Sequence, residues 1–352
     1  MKREGTCPGE ELRHDGRWPW RGRRWAWSGC LVLLAGGWLT GCHPSHPQSS
    51  LHPASEEAAD IARLWWVMCG VLGVAFVIVM SLALRALLVA RHPRAGPPGG
   101  GNRFVVWGGI LIPGVILVGM LVYSMTVTIK QRRPLEGTPI EIIGHQWWWE
   151  VRYPQSGGVT ANELYLPAGK PVLLELWAGD VIHSFWVPNL HGKIDMVPEV
   201  KNRFWLLADE PGTWRGQCAE FCGRQHAWMA LTVVALPPDE FEAWLQQRQQ
   251  PRPPPLEEEA GLISRGEEVF FDASCHACHG IRDTRAEARI GPDLTHVGSR
   301  PTLGAGLLPN NADNLARWIL DPQALKPGNR MPATPLAAED VQALVAFLQS
   351  LR

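Results

Sequence analysis

Two long stretches of this chain carry no charge, and they restrict its architecture more than any other feature. Leu64 to Leu84 is 21 residues long and Phe104 to Ile129 is 26, neither containing Asp, Glu, Lys or Arg. A bilayer core of about 30 Å takes roughly 20 apolar residues in a helix. Both runs therefore read as transmembrane helices, the second kinked at Pro113. The segment between them carries Arg91, Arg94 and Arg103 and no acid, so it faces the cytoplasm and both termini lie outside. Arg85 can snorkel toward that cytoplasmic face, and Cys69 reads as a small apolar residue inside the first helix. The near-zero mean hydropathy of −0.08 averages over these helices and polar flanks. A formal net charge of −1 gives no support for a nucleic-acid partner.

Upstream, Arg21, Arg23 and Arg24 precede a short apolar run from Cys30 to Leu39, followed by Thr40-Gly41-Cys42. A basic segment, a short apolar core and small residues before a cleavage point make an export signal. The Leu-Thr-Gly-Cys end resembles a bacterial lipoprotein signal, which implies that 1–41 is removed and Cys42 lipidated. The expected organisation is then an exported segment at 42–62 and a two-helix hairpin at 63–130. A β-sandwich at 131–237 and a helix with a proline-rich linker at 238–258 come next. A small helical domain at 259–352 closes the chain. Short runs such as ELYLP, PVLLELWAGD and ALTVVAL, punctuated by Gly and Pro, carry the sandwich assignment. LISRGEEVF and AAEDVQALVAFLQSLR have the apolar spacing of helices.

Eight cysteines in 352 residues are too few for a disulfide scaffold, so their spacing matters more than their number. Cys218, Cys222, His226 and Met229 fall within twelve residues, and His183 lies upstream in a strand-like segment. Two thiolates, two imidazoles and a thioether form a soft set suited to copper. A disulfide between Cys218 and Cys222 competes, although a three-residue gap strains one. Zinc also competes but has no use for Met229.

C-x-E-x-x-C-G-x-x-H-x-x-M with an upstream His resembles the dinuclear copper A centre of cytochrome c oxidase subunit II. The resemblance spans about 60–236 and implies a cupredoxin-like domain. It implies that Cys218 and Cys222 bridge two copper ions, with His183 and His226 as terminal ligands. Met229 and the main-chain carbonyl of Glu220 would be weak ligands, and the Glu220 side chain would face a magnesium site shared with subunit I. In Gly144–Tyr153 it implies that electrons reach copper through Trp147, with at least one of Trp147, Trp148 and Trp149 an ordinary strand residue. Two positions depart from the family. Asn102 and Phe104 stand where an acid usually starts the second helix, and Glu199-Val200 replaces a common Gly-basic pair.

Cys275-His276-Ala277-Cys278-His279 is the c-type haem attachment spacing. The two thiols can reach the two vinyl positions of a haem while His279 points at the iron. A zinc site would need a second cysteine pair, and a thioredoxin-like site would need a βαβ pattern. GPDL at 291–294 and NRMP at 329–332 resemble class I cytochrome c, an all-α domain. Met331 would then be the sixth ligand, and Pro292 would orient His279 through its carbonyl. His276 and His296 are expected at the surface, and His43, His46 and His52 in a flexible tether.

Together the pieces resemble the fused subunit II of caa-type oxidases. The resemblance implies a bacterial cell-membrane protein with both redox domains on the outer side. Its cofactors would be two copper ions and one covalent haem c, with magnesium at the subunit interface. Its partners would be oxidase subunit I, subunit III, membrane lipid, and a donor such as cytochrome c or a quinol-cytochrome c reductase. Electrons would pass from haem c to copper A and on to subunit I, coupled to oxygen reduction and proton translocation. The alternatives are a divergent quinol oxidase subunit II and a membrane-anchored electron carrier outside any oxidase. The intact copper set argues against the first.

Overall fold

A computed structural model of the chain describes residues 47–89, 101–131, 139–250 and 257–352. The export signal, Cys42, His43, His46, Arg91, Arg94 and the proline-rich stretch at 251–256 lie outside the described residues.

The first apolar run sits within helix α1 (Glu56–Val89). The second sits in α2 (Gly101–Val106), a π turn (Trp107–Leu111) and α3 (Ile112–Lys130). Both helical stretches are long and apolar enough to cross a membrane, and no side chain in their most apolar windows is buried, with Val74 62% and Leu117 66% exposed. The irregularity expected at Pro113 takes the form of the π turn just before it. Pro113 has no N–H to donate, and the backbone widens so that the Ile112 N–H reaches the Trp107 carbonyl. Where α1 begins and α3 ends the helices are tied by charge: Lys130 Nζ lies 2.8 Å from Glu56 Oε1 and 3.0 Å from Asp60 Oδ2.

Residues 140–236 fold into two five-stranded sheets. The first is ordered β3 (Gly158–Ala161), β2 (Trp148–Tyr153), β1 (Ile140–His145), β5 (Val172–Ala178), β8 (Asn202–Leu206). The second is ordered β4 (Glu163–Pro167), β10 (Ala230–Leu236), β9 (Gly212–Cys218), β6 (His183–Trp186), β7 (Ile194–Met196). The core is filled by alternate residues of facing strands, as a two-sheet sandwich requires. Ile142, Trp149, Val151, Leu174 and Leu176 come from one sheet, and Leu164, Leu166, Phe185, Leu231 and Val233 from the other. Helix α4 (Pro238–Gln249) covers one edge by stacking Trp244 on Tyr165, ring centroids 4.3 Å apart. Glu199, one of the two departures from the resemblance, holds a left-handed backbone, φ 64°.

The C-terminal domain packs α5 (Glu257–Asp272) against α8 (Ala338–Ser350), burying Ile263, Val269 and Phe270 on Leu344, Phe347 and Leu348. Helices α6 (Ala312–Leu320) and α7 (Pro322–Leu325) complete it. Its amphipathic periodicity, with charged residues outward, is the pattern that sequence spacing anticipates.

Two histidines sit differently from expectation. His296 is buried, 4% exposed, where a surface position was expected. The adjoining turn is pressed against the end of α4, with Arg248 Nη1 donating to Ser299 Oγ at 2.8 Å. Burial, with the neighbouring Arg248 charge, pulls the His296 pKa down to about 4. His52 is exposed, but its backbone is pinned rather than free: Asn189 Nδ2 donates to the carbonyls of Ser49 and His52 at 3.1 and 2.9 Å.

Candidate metal centres

Sheet order builds the first centre. β9 lies between β10 and β6, so the loop joining β9 to β10 hangs beside the start of β6. That loop opens with Cys218 and closes with Met229, and β6 opens with His183. Cys218 Sγ is 3.8 Å from His183 Nδ1, and Cys222 Sγ is 3.7 Å from His226 Nδ1. The two sulfurs are 3.8 Å apart and both thiols are free, so the disulfide alternative does not describe this structure. The Glu220 carbonyl approaches Cys218 Sγ at 3.2 Å, and Met229 Sδ approaches Cys222 Sγ at 3.9 Å.

The arrangement is therefore two-sided: each sulfur has its own imidazole and its own weaker donor. Cys218, Cys222, His183 and Met229 are at most 3% exposed, whereas His226 is partly exposed. The hydrogen bond from the Cys222 thiol, against the opposing effect of burial, favours a thiolate at Cys218. The Cys222 thiol, holding that shared hydrogen in a buried place, is pushed up. Two such sulfurs with two imidazoles and a thioether suit a pair of copper ions better than a single tetrahedral zinc.

Asp180, which no sequence pattern singled out, organises the surroundings. His183 Nε2 lies 2.9 Å from Asp180 Oδ1, which also accepts from the Val181 N–H at 2.7 Å. Asp180 Oδ2 accepts from the Gln146 N–H at 2.7 Å. Burial alone would raise the Asp180 pKa, but these donors hold it below the usual range. Burial likewise lowers the His183 pKa, and the bonds to Asp180 and Cys218 more than offset that. An Nε2–H held by a carboxylate leaves Nδ1 free to face metal.

The three tryptophans separate clearly. Trp149 is fully buried against Phe185, and Trp148 is buried, stacked on His145. Trp147 is half-buried and its indole N–H donates to the Cys222 carbonyl at 2.9 Å. The Gln146 side-chain amide donates to the same carbonyl at 2.7 Å. The Glu220 carboxylate points outward, 44% exposed, with Lys193 Nζ 3.8 Å away.

The second centre lies after α5. Cys275 and Cys278 are free and half-buried on a short 3₁₀ turn, and His279 follows. His279 Nδ1 donates to the Pro292 carbonyl at 2.7 Å, leaving Nε2 unprotonated for iron. Burial, partly offset by that bond, lowers the His279 pKa and keeps the imidazole neutral. Gly291 allows the close approach, since a Cβ there would stand 2.7 Å from His279 Cε1. The segment carrying Met331 is fixed by Asn329 Oδ1, which accepts from the Met331 N–H at 2.8 Å. Gln323 Nε2 donates to the Met331 carbonyl at 3.0 Å. Two free thiols, a neutral imidazole in a fixed tautomer and a methionine on an anchored backbone segment fit a covalently attached haem.

Residues 158–236 match the family described as cytochrome C oxidase subunit II, periplasmic domain, and residues 263–352 match the cytochrome c family. The cytochrome c oxidase subunit 2 of Alkalihalophilus pseudofirmus is 38% identical over 89% of this chain and 94% of its own length. That of Bacillus sp. strain PS3 is 34% identical, covering 70% of this chain and 74% of the relative. Among solved structures, the periplasmic domain of subunit II of cytochrome oxidase of Bradyrhizobium japonicum is 29% identical. It covers 33% of this chain and 96% of that domain, with a TM-score of 0.32. A relative this similar over nearly its whole length, together with both domain matches, identifies the chain as a member of the cytochrome c oxidase subunit 2 family.

Proposed function

We propose that this chain is the electron-transfer subunit of a haem-copper terminal oxidase, with a dinuclear copper A site and a covalent haem c on the outer side of a bacterial membrane. The observation that carries the reading is the two-sided cluster, in which each of two free thiols 3.8 Å apart has its own imidazole, in one chain with the His279–Pro292 pair. When bound, the copper pair and the haem supply the one-electron chemistry. In this reading His183, Cys218, Cys222, His226, Met229 and the Glu220 carbonyl hold the copper pair, and Cys275, Cys278, His279 and Met331 hold the haem.

The chain's own residues do the rest. Asp180 fixes the His183 tautomer, and buried walls keep water from both sulfurs. Trp147, hydrogen-bonded to the Cys222 carbonyl, gives an aromatic surface through which electrons reach the copper loop. Pro292 orients His279. Tethering the haem domain to the copper domain replaces a bimolecular encounter by a local concentration of order millimolar for a short linker.

Oxygen reduction belongs to subunit I, whose association with this chain follows from the family. Subunit III, a cytochrome c or quinol-cytochrome c reductase donor, and surrounding lipid are further proposed partners. Magnesium at the interface with subunit I, helped by the outward Glu220 carboxylate, completes the cofactor set. Cys42 is the proposed lipid attachment point.

Cys218→Ser tests the copper assignment. It should abolish the mixed-valence copper resonance while leaving the haem spectrum intact, and a normal copper resonance would overturn it. Mild-detergent purification tests the oxidase assignment. Recovery of the chain alone, without a haem-copper partner or oxygen uptake, would favour a free-standing carrier.

A further inference from the structure

The haem domain rests on the copper domain through two separate patches. The remote patch is at the end of α4, where Arg248 reaches Ser299 and Arg282 donates to the carbonyls of Arg248 and Gln250 at 2.7 and 2.9 Å. It sits beside the point where the chain passes into the haem domain, so alone it would act as a pivot. The second patch lies on the copper loop itself. Gln225, buried inside that loop, donates to the Pro327 carbonyl. Ala230, next to Met229, donates its N–H to the Ala305 carbonyl at 3.3 Å, and Arg215 Nη1 donates to the Gly306 carbonyl at 3.3 Å.

At the rim of this patch stands Arg330, immediately before Met331. Its guanidinium lies over the Trp147 ring, 5.6 Å from the centroid, and donates to Gln146 Oε1. The same Gln146 amide donates through Nε2 to the Cys222 carbonyl at 2.7 Å. One side chain thus joins the neighbour of Met331 to the backbone of Cys222, with its acceptor end on one domain and its donor end on the other.

We propose that Gln146 and Arg330 form a clasp that fixes the Met331 segment of the haem domain over the copper loop, making both positioning residues for transfer between the two centres. The inference rests on the proposed electron-transfer function. Its physical basis is the distance dependence of tunnelling, which falls exponentially with the gap. A domain free to rock about the remote patch would spend part of its time too far away, and a contact at the opposite edge removes that freedom. A guanidinium suits the purpose because its edge can donate to Gln146 while its face covers an indole.

The Ala230 amide gives a direct readout, because its acceptor belongs to the other domain. In the intact purified complex, Gln146→Leu and Arg330→Gln should each speed hydrogen exchange at Ala230 about fivefold, the effect of losing one ordinary hydrogen bond. The double variant should exchange no faster than either single one, because both remove the same contact. Arg330→Lys keeps a donor and should restore much of the protection. Haem-to-copper transfer after photoreduction should slow in the same order, with haem and copper spectra unchanged. Arg330→Gln touches no part of the copper loop's own hydrogen bonding, so it remains informative even where Gln146→Leu perturbs that loop. Wild-type exchange in both single variants, or additive effects in the double one, would overturn the clasp. Absence of any haem-to-copper transfer in the wild type would overturn the proposed function instead, leaving the exchange result to stand on its own.

Discussion

Asp180→Asn separates the role of a carboxylate from that of mere bulk. Asp180 accepts three hydrogen bonds, two at Oδ1 from His183 and Val181 and one at Oδ2 from Gln146. An asparagine has one acceptor oxygen. Placed toward His183 and Val181, it turns its NH₂ against the Gln146 N–H, so a donor faces a donor. Turned the other way, it loses His183 and Val181 together. The first arrangement costs least and leaves one amide unsatisfied, about 1–3 kcal/mol for a group removed from water. That cost falls on the fold with or without metal. The copper affinity falls because a neutral amide oxygen holds the His183 imidazole less firmly than a carboxylate, and loss of a residue orienting a ligating histidine typically costs roughly 10–100-fold in metal affinity. The assay is chelator competition on purified complex, following the copper resonance. Half-loss of copper should come at chelator concentrations lower by about that factor, with the haem spectrum as an internal standard. Copper retention equal to wild type in a folded variant would refute the claim that Asp180 holds His183 and the Trp147 segment in place.

Two further substitutions test the scaffold. Gly291→Ala puts a methyl against the His279 ring, and the loss of the Pro292 bond should lower haem incorporation, read as the ratio of covalent haem to polypeptide. Glu175 is buried between Lys201 and Arg203, with contacts of 2.6 and 2.5 Å. Burial pushes its pKa up, but the two cations outweigh that and hold it below the usual range. A depressed folded pKa stabilises the copper domain above the ordinary carboxylate range, about pH 4.5, and that stability is lost as pH falls through the folded value. Glu175→Gln should therefore lower the neutral-pH unfolding midpoint, by about 1–2 kcal/mol of stability, and flatten its decline in acid. Parallel pH curves for the two proteins would remove Glu175 from the acid transition.

The parts of this molecule that could be read from sequence are those whose physics is local. An uncharged 21-residue run needs no partner to declare itself. Four of the copper-loop donors are legible because they fall within twelve residues, and only His183 had to be brought from another strand. Asp180 was invisible because an acid three residues before a histidine is common and acquires meaning only when a loop turns its carboxylate back. Gln146 and Arg330 are 184 positions apart, and nothing in either neighbourhood announces the other. His296 was misplaced for the same reason, since its burial comes from the domain that packs over it. Pro113 was legible as a break, whereas the choice of a π turn to absorb it depends on where the freed carbonyls find donors.

The short loop between β9 and β10 also has a consequence for assembly order. Cys218, Glu220, Cys222, His226 and Met229 are joined by a segment whose two ends are already paired across adjacent strands. Closing a small ring inside a formed hairpin costs little further chain entropy. His183 adds one contact between strands that are hydrogen-bonded neighbours in any case. Metal is therefore not needed to bring distant parts of the chain together, unlike in small domains that fold only when loaded. The copper domain can fold first, with its thiols already juxtaposed. His226 at the open side, beside the 75%-exposed Phe221, then marks where copper would be handed in. The chain-entropy cost of gathering the ligands thus falls on the strand pairing of the sandwich and not on the metal.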